Sequence, residues 1–290
     1  MKYLITGGTG TLGQALVAKL YDKKDTKITI LSRDELKQQE MRRKYPEIRY
    51  IIGDIRDYMS VKKACEGQDV VIHTAALKHI DVIESNPFEA VRTNIVGTEN
   101  VMNAAEAKCV KHVVFCSTDK AVDPLNIYGM TKGIAEKMIL GRNNTSTPTK
   151  YHAYRWGNIL MSRGSALYSF VETLKNQRCV YLTSTGMSRF WLRIDDAAEF
   201  LLSTFESDDG KGVRVPPMKG AKLTLLVQAI AEILEIKVYE VIEIGLRPGE
   251  KLAEDITSRF DDCYVNSSNC KQYTLEQLKD LIRLEVLELV

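Results

Sequence analysis

Tyr128 and Lys132 stand four residues apart in a segment with helical patterning, so on a helix they share a face about one turn apart. A lysine ammonium beside a phenol favours phenolate. Free tyrosine titrates near pH ~10, and a neighbouring cation lowers that value toward the range in which Tyr128 can act as a general base. Upstream, Thr118 supplies a hydroxyl, Asp119 an acid and Lys120 an amine. The whole stretch, S-T-D-K-A-V-D-P-L-N-I-Y-G-M-T-K from Ser117, follows Val113, Val114 and Phe115, an apolar β-branched run that reads as a buried strand. Alone, Tyr-x-x-x-Lys also occurs in helices that do no chemistry, and Asp119–Lys120 also reads as a solvated loop pair.

The N-terminus adds weight to the chemical reading. Lys2 to Thr6 is a short apolar strand, followed at once by Gly7, Gly8, Thr9, Gly10, Thr11, Leu12 and Gly13, and then by a helix-like run from Gln14 to Tyr21. Glycines at 7, 10 and 13 suit a tight strand-to-helix turn whose bare backbone admits a dinucleotide pyrophosphate to the helix N-terminus.

Together, the glycine spacing and Tyr128-x-x-x-Lys132 resemble the extended short-chain dehydrogenase/reductase family. The strings S-R-D-E-L-K, G-D-I-R-D, A-A-L-K-H, S-T-D-K-A and R-P-G-E-K-L are similar to its soluble, configuration-inverting UDP-N-acetylglucosamine 4,6-dehydratase branch, sugar-nucleotide enzymes related to flagellin and capsule pathways. The resemblance runs from about residue 1 to about residue 257. It implies a homo-oligomer, with a hexamer as one form.

Composition sets the class. With 290 residues and 44% hydrophobic content, the chain can bury a substantial core. A net charge of +2 gives no footprint for nucleic acid or a membrane surface. No run approaches the ~18 apolar residues needed to cross a bilayer, and the start M-K-Y-L-I-T leaves no room for a signal peptide, so a cytoplasmic enzyme is expected. Cysteines 65, 109, 116, 179, 263 and 270 form no C-x-x-C pair, and the four histidines show no ligand spacing, so reduced thiols and no metal are expected.

Strands alternating with helices predict a doubly wound parallel sheet, a Rossmann fold, with ligands at the strand carboxyl ends. Expected strands are Lys27–Leu31, Arg49–Ile52, Asp69–Ile72, Lys111–Cys116 and Tyr151–Arg155, with a long helix from Phe88 to Lys108. After the second strand come Ser32 and Arg33, and only then Asp34. An NAD site puts an acid near this strand end, whereas an arginine suits the NADP 2′-phosphate, so NADP is expected, with Lys37 as the second cation. Asp34 also reads as a cap for the helix Glu35–Lys44. Thr74 and Ala75 are small enough to let the backbone approach a nicotinamide ribose. The resemblance implies adenine contacts from Asp54 and Ile55, a cofactor contact from Ile159, contacts to both cofactor and substrate from Lys78, and support of the tyrosine and lysine by Asn94 through water.

A smaller C-terminal substrate-binding lobe is expected, comprising 157–189 and 207–290, with 1–156 and the returning segment 190–206 forming the cofactor domain. Residues 183–191 read as a loop returning to the sheet, and Val213–Pro217 as part of the lobe. By resemblance Asn158, Arg163, Gly164, Ser165 and Thr183 hold the sugar nucleotide, and Arg247 and Glu250 its uridine end. Arg189 joins Arg163 and Arg247 as a guanidinium suited to diphosphate oxygens. Met161 and Tyr168 depart from the glycine and proline usual in the family, and the tail is shorter than usual.

The expected reaction is a redox elimination. Tyr128 takes the 4-hydroxyl proton as C4 is oxidised, Lys120 removes the C5 proton, Asp119 protonates the departing 6-hydroxyl, and NADP is regenerated each turnover. Inversion at C5 is implied by resemblance. The rivals are a 4-epimerase or reductase, which need no Asp-Lys pair, and a non-catalytic NADP-binding regulator.

Overall fold

A computed structural model describes residues 1–160, 165–259 and 263–289, and two compact units: Met1–Arg155 with Asp195–Val215, and Trp156–Ile194 with Pro216–Val290. Candidates Arg163 and Gly164 lie outside the described residues.

In the first unit β1 (Lys2–Thr6), α1 (Thr11–Tyr21), β2 (Lys27–Ser32), α2 (Glu35–Lys44), β3 (Arg49–Ile52), α3 (Tyr58–Ala64) and β4 (Val70–His73) alternate as the sequence predicts. The short α4 (Ile80–Glu84) and α5 (Pro87–Ala90) follow, then a π-helical turn, Val91–Val96, and α6 (Gly97–Ala107). The long helix expected here is thus interrupted, and π turns of this kind gather at functional sites. Next come β5 (His112–Cys116), a 3-10 turn at Asp119–Ala121, α7 (Ile127–Arg142) and β6 (Lys150–Tyr154).

These strands form a seven-stranded sheet in the order β10, β6, β5, β4, β1, β2, β3, where β10 is the later strand Val213–Arg214. Every pairing is parallel. β4 is wholly buried, as its uninterrupted V-V-I-H run demands of a strand covered on both faces. The order reverses between β1 and β4, so the strand carboxyl ends there flank a crevice of the kind where α/β folds take ligands. Side-chain caps fix the starts of α2 and α7. Asp34 accepts from the Lys37 N–H at 3.0 Å and Asn126 from the Gly129 N–H at 2.8 Å.

The second unit begins after Arg155 with β7 (Asn158–Ile159), α8 (Ala166–Gln177), β8 (Cys179–Leu182) and β9 (Ser188–Leu192). α9 (Ile194–Thr204) and β10 return the chain to the first unit, and β11 (Lys219–Lys222), α10 (Leu223–Ile233), β12 (Glu240–Glu243) and α11 (Leu275–Glu288) complete the second. β9 is central in a sheet with β11 and β7, and β8 pairs with β12. Its core includes Leu167, Phe170, Trp191, Leu226, Ile230, Leu278 and Ile282. α11 starts at a capping box between Thr274 and Gln277.

Two expectations are corrected here. Residues 188–192 form a buried strand rather than a returning loop, because β11, some thirty residues later, pairs with them antiparallel. The return to the first unit runs Asp195–Val215 rather than 190–206, because Val213 and Arg214 pair with Ala153 and Tyr154 of β6.

Candidate active site

At the end of β1 the chain turns through Gly7, whose φ of +70° suits a residue without Cβ. A Cβ there would lie 2.8 Å from the backbone of Ala75, after β4. Gly13 is equally constrained, since its Cβ would meet Gly8 Cα at 2.5 Å. The Gly10 N–H donates to Gly7 O at 2.8 Å, and Gly10 caps α1 with no side chain. Bare backbone at the positive end of a helix suits a pyrophosphate, so Gly7 to Gly13 fit a dinucleotide.

The neighbouring strand ends carry the remaining cofactor candidates of this unit. Thr74 donates through Oγ1 to Thr6 O at 2.8 Å, beside Ala75. Ser32 Oγ accepts from Gln38 at 2.8 Å. Asp34 holds Lys37 by an ion pair as well as by the helix cap. Arg33 is half exposed, 3.7 Å from the Asp54 carboxylate, which Arg56 also grips at 2.6 Å. These charge-paired hydrogen bonds hold the Asp54 carboxyl below the usual range against the opposing effect of burial. Ile55 is buried among α3 and α6 residues.

Five catalytic candidates converge at the end of β5. Thr118 caps the 3-10 turn, and its hydroxyl donates to Asp119 Oδ1 at 2.9 Å. Lys120 Nζ reaches the same oxygen at 3.2 Å, and the Asp119 side chain is fully buried. Acid and base are therefore in direct contact. The hydroxyl of half-buried Tyr128 is hydrogen-bonded with Thr118.

Burial pushes the Tyr128 phenol up to about 12, against lowering by the Lys120 charge and the Thr118 hydrogen bond. Lys132 is placed differently from expectation. Its ammonium donates to the Cys116 carbonyl at 2.6 Å and lies 3.8 Å from the centroid of the Phe115 ring. The cation acting on Tyr128 in this arrangement is Lys120, and burial brings Lys132 down to about 8.

Asn94 is carried by the π turn. Its Oδ1 accepts from the Leu77 N–H at 2.8 Å, and its Nδ2 donates to Leu77 O and to Thr131 Oγ1, each at 3.0 Å. It thus fastens the loop bearing Lys78 to α7.

Gly129 was not singled out by sequence reasoning, yet the site depends on it. A Cβ there would lie 2.0 Å from the Lys120 carbonyl oxygen. Only glycine lets α7 pack this closely on the Asp119–Ala121 turn. Gly129→Ala is expected to destabilise the fold by about 1–3 kcal/mol and to lower turnover beyond that loss, as seen by denaturant melts and steady-state rates. The signal was visible as the G in Y-G-M-T-K, but its partner lies nine residues upstream on another turn.

His73 is structural. It is buried between Thr6 Oγ1 at 2.7 Å and Thr98 Oγ1 at 3.1 Å. Burial first, and the Lys132 charge second, depress it from 6.5 to about 3. An unfolded chain takes up this proton below pH 6.5 and the native one does not until about pH 3, so stability falls with pH across that window. His73→Gln is expected to remove about 2 kcal/mol of the stability lost between pH 7 and 5, measured by urea melts at both values.

The second unit carries the other candidates. Asn158 and Ile159 pair with Trp191 and Leu192. Ser165 occupies the N-cap position of α8 without a side-chain capping hydrogen bond, and Thr183 Oγ1 donates to Met187 Sδ at 3.1 Å. Arg189 is buried, and its Nη1 donates to Ser188 O at 2.7 Å and Leu252 O at 3.2 Å, with Glu254 3.8 Å from Nε. Its guanidinium is thus engaged in tying β9 to the 252–254 segment. Glu250 accepts from the Arg247 N–H at 3.1 Å and closes a turn through Gly249, whose φ is +79°. No group of three acidic, histidine or cysteine side chains among the described residues could hold a metal. No described helix is long and apolar enough to cross a membrane.

A parallel, doubly wound sheet with a glycine cradle and a Tyr-x-x-x-Lys helix is the architecture of the extended short-chain dehydrogenases/reductases. Within that class the chain belongs to the polysaccharide biosynthesis protein family, whose pattern matches residues 3–276. It is 39% identical over 282 residues to a UDP-N-acetylglucosamine 4,6-dehydratase (inverting) of Campylobacter jejuni subsp. jejuni serotype O:2, covering 92% of this chain and 83% of that one. It is also 38% identical over 263 residues to a UDP-glucose 4-epimerase of Rickettsia bellii, covering 88% and 77%. The X-ray structure of Pen from Bacillus thuringiensis superposes with a TM-score of 0.91 at 32% identity, covering 100% of this chain and 98% of that one.

Proposed function

We propose that the protein is a nucleotide-sugar 4,6-dehydratase that converts UDP-N-acetylglucosamine to a UDP 4-keto-6-deoxy sugar with inversion at C5. The observation that carries this reading is the Asp119–Lys120 pair, an acid and a base 3.2 Å apart beside the Tyr128 hydroxyl. An elimination needs both, and a simple epimerisation needs neither.

Held in the glycine cradle, a nicotinamide dinucleotide would supply reversible hydride transfer to and from the sugar. The residues handle protons and position. Tyr128 takes the 4-hydroxyl proton; Lys120, after passing its own proton across the 3.2 Å contact to Asp119, takes the C5 proton as a neutral amine, and the Asp119 carboxyl so formed protonates the leaving 6-hydroxyl. Thr118 orients both the phenol and the acid. The glycine cradle, Thr74, Ala75 and Lys78 hold the dinucleotide. Asn158, Thr183, Arg247 and Glu250 recognise the sugar nucleotide.

NADP is the proposed form. Asp34 is already engaged as helix cap and as partner of Lys37, and Arg33 is half exposed, which suits a 2′-phosphate. Nucleotide released from the purified protein by denaturation is expected to be NADP(H), and recovery of NAD(H) alone would overturn that choice. Homo-oligomerisation belongs to the same reading and is checked by light scattering.

The reaction is tested by incubating the protein with UDP-N-acetylglucosamine and no added cofactor. Loss of one water with a new C6 methyl signal is expected. The second reading, 4-epimerisation, rests on the 38% identity to the Rickettsia relative and gives an unchanged mass with an altered sugar pattern.

A further inference from the structure

Lys132 is a buried ammonium whose one described hydrogen bond goes to a carbonyl, that of Cys116 at 2.6 Å. No described carboxylate forms an ion pair with it, although a buried charge is costly without an opposite one. One turn further along α7, on the same face, is Glu136, itself buried. Arg155, at the end of β6, grips Glu136 through Nη2 at 2.5 Å and Nε at 3.2 Å. Beside them, the Ser117 N–H donates to Tyr154 O at 2.6 Å, so the pair fastens α7 to the strand ends that carry the catalytic turn.

We propose that Glu136, held by Arg155, is a positioning residue that supplies the counter-charge for the Lys132 ammonium. This rests on the reading of Lys132 as partner of the catalytic tyrosine. The groups facing Lys132 are few. β5 presents the Cys116 thiol and carbonyl and the Phe115 ring, β4 presents His73, and α7 itself presents Glu136. His73 is neutral at physiological pH, and burial raises the Cys116 thiol to about 12, so Glu136 is the one anion in this set. Burial opposes the charged lysine, and Cys116 and then Glu136 favour it. Arg155 works on the same site with the opposite sign, because its cation offsets part of the Glu136 field.

The two halves of the ion pair therefore make opposite predictions, which a purely structural role does not. Protein labelled with ¹³C at lysine Cε is titrated by NMR, with the Lys132 signal assigned by its loss in Lys132→Met. Wild-type Lys132 is expected to titrate near 8. Glu136→Gln is expected to lower that value by about one unit or more, Arg155→Gln to raise it by a similar amount, and Glu136→Asp to restore it. If Glu136→Gln does not fold, the upward shift in Arg155→Gln and the wild-type value in Glu136→Asp still decide the matter. Shifts of the same sign, or none in Arg155→Gln, overturn the proposal. The titration reports charge without turnover, whereas the pH dependence of dehydration reports the catalytic use of that charge. A Lys132 that titrates as expected in an enzyme whose pH–rate break ignores these variants would refute the catalytic reading and leave the counter-charge standing.

Discussion

Tyr128→Phe is expected to lower kcat for dehydration by about 10²–10⁴-fold while leaving KM nearly unchanged. The substitution removes one oxygen from a half-buried ring and leaves Thr118 its bond to Asp119, so the fold persists. What is lost is the acceptor of the 4-hydroxyl proton. The pH dependence of the intact enzyme follows from the two shifted groups. On the reading of Lys132 as partner of the catalytic tyrosine, the productive pair is a phenolate with a charged Lys132, yet the phenol is pushed up to about 12 and the lysine down to about 8. Below pH 8 both hold protons, and the productive form grows about tenfold per unit of rising pH. Above pH 8 the pair has lost one proton, and the productive form is a constant fraction of that state. Activity is therefore expected to rise with pH to about 8 and level off. A profile that is flat from pH 6 to 8 would contradict the assignment.

Lys120→Met is the second large effect. Dehydration is expected to fall by about 10²–10⁴-fold, because the C5 proton loses its base. Lys120 also balances a wholly buried carboxylate, and breaking a buried pair from one side costs about 3–5 kcal/mol. Stability and chemistry are separated by isotope exchange. In D₂O the wild type is expected to place deuterium at C5, and Lys120→Met is expected not to, in protein shown to be folded by its thermal melt. A double variant, Lys120→Met with Asp119→Asn, removes the stranded charge. It is expected to regain most of the stability and none of the exchange. Recovery of exchange in that double variant would take the proton-abstracting role away from Lys120.

The sheet was legible because most of its strands are short apolar runs rich in β-branched or aromatic residues, at the spacing of α/β units. The glycine cradle was legible for the same reason: only Gly7 tolerates that φ and that approach to Ala75. The pairing of Tyr128 with Lys132 follows from helical geometry, but the direction of the lysine does not. Its ammonium turns to the Cys116 carbonyl, sixteen residues back, a contact that only the packing of α7 on β5 creates. The same holds for Glu136 with Arg155, nineteen residues apart, and for Asn94 with Leu77, seventeen apart. β9 escaped because its S-R-F-W-L string has no alternation, being buried throughout, and its partner β11 lies beyond an intervening helix. The π turn has no compositional marker, and the sequence read straight through it as helix.

The most direct test of the central claim is to supply UDP-N-acetylglucosamine carrying deuterium at C4 and to locate the label in the product by NMR. Deuterium is expected to leave C4 and to be recovered in the C6 methyl group, with the C5 position filled from solvent. Label retained at C4, or released to water, would contradict a redox elimination.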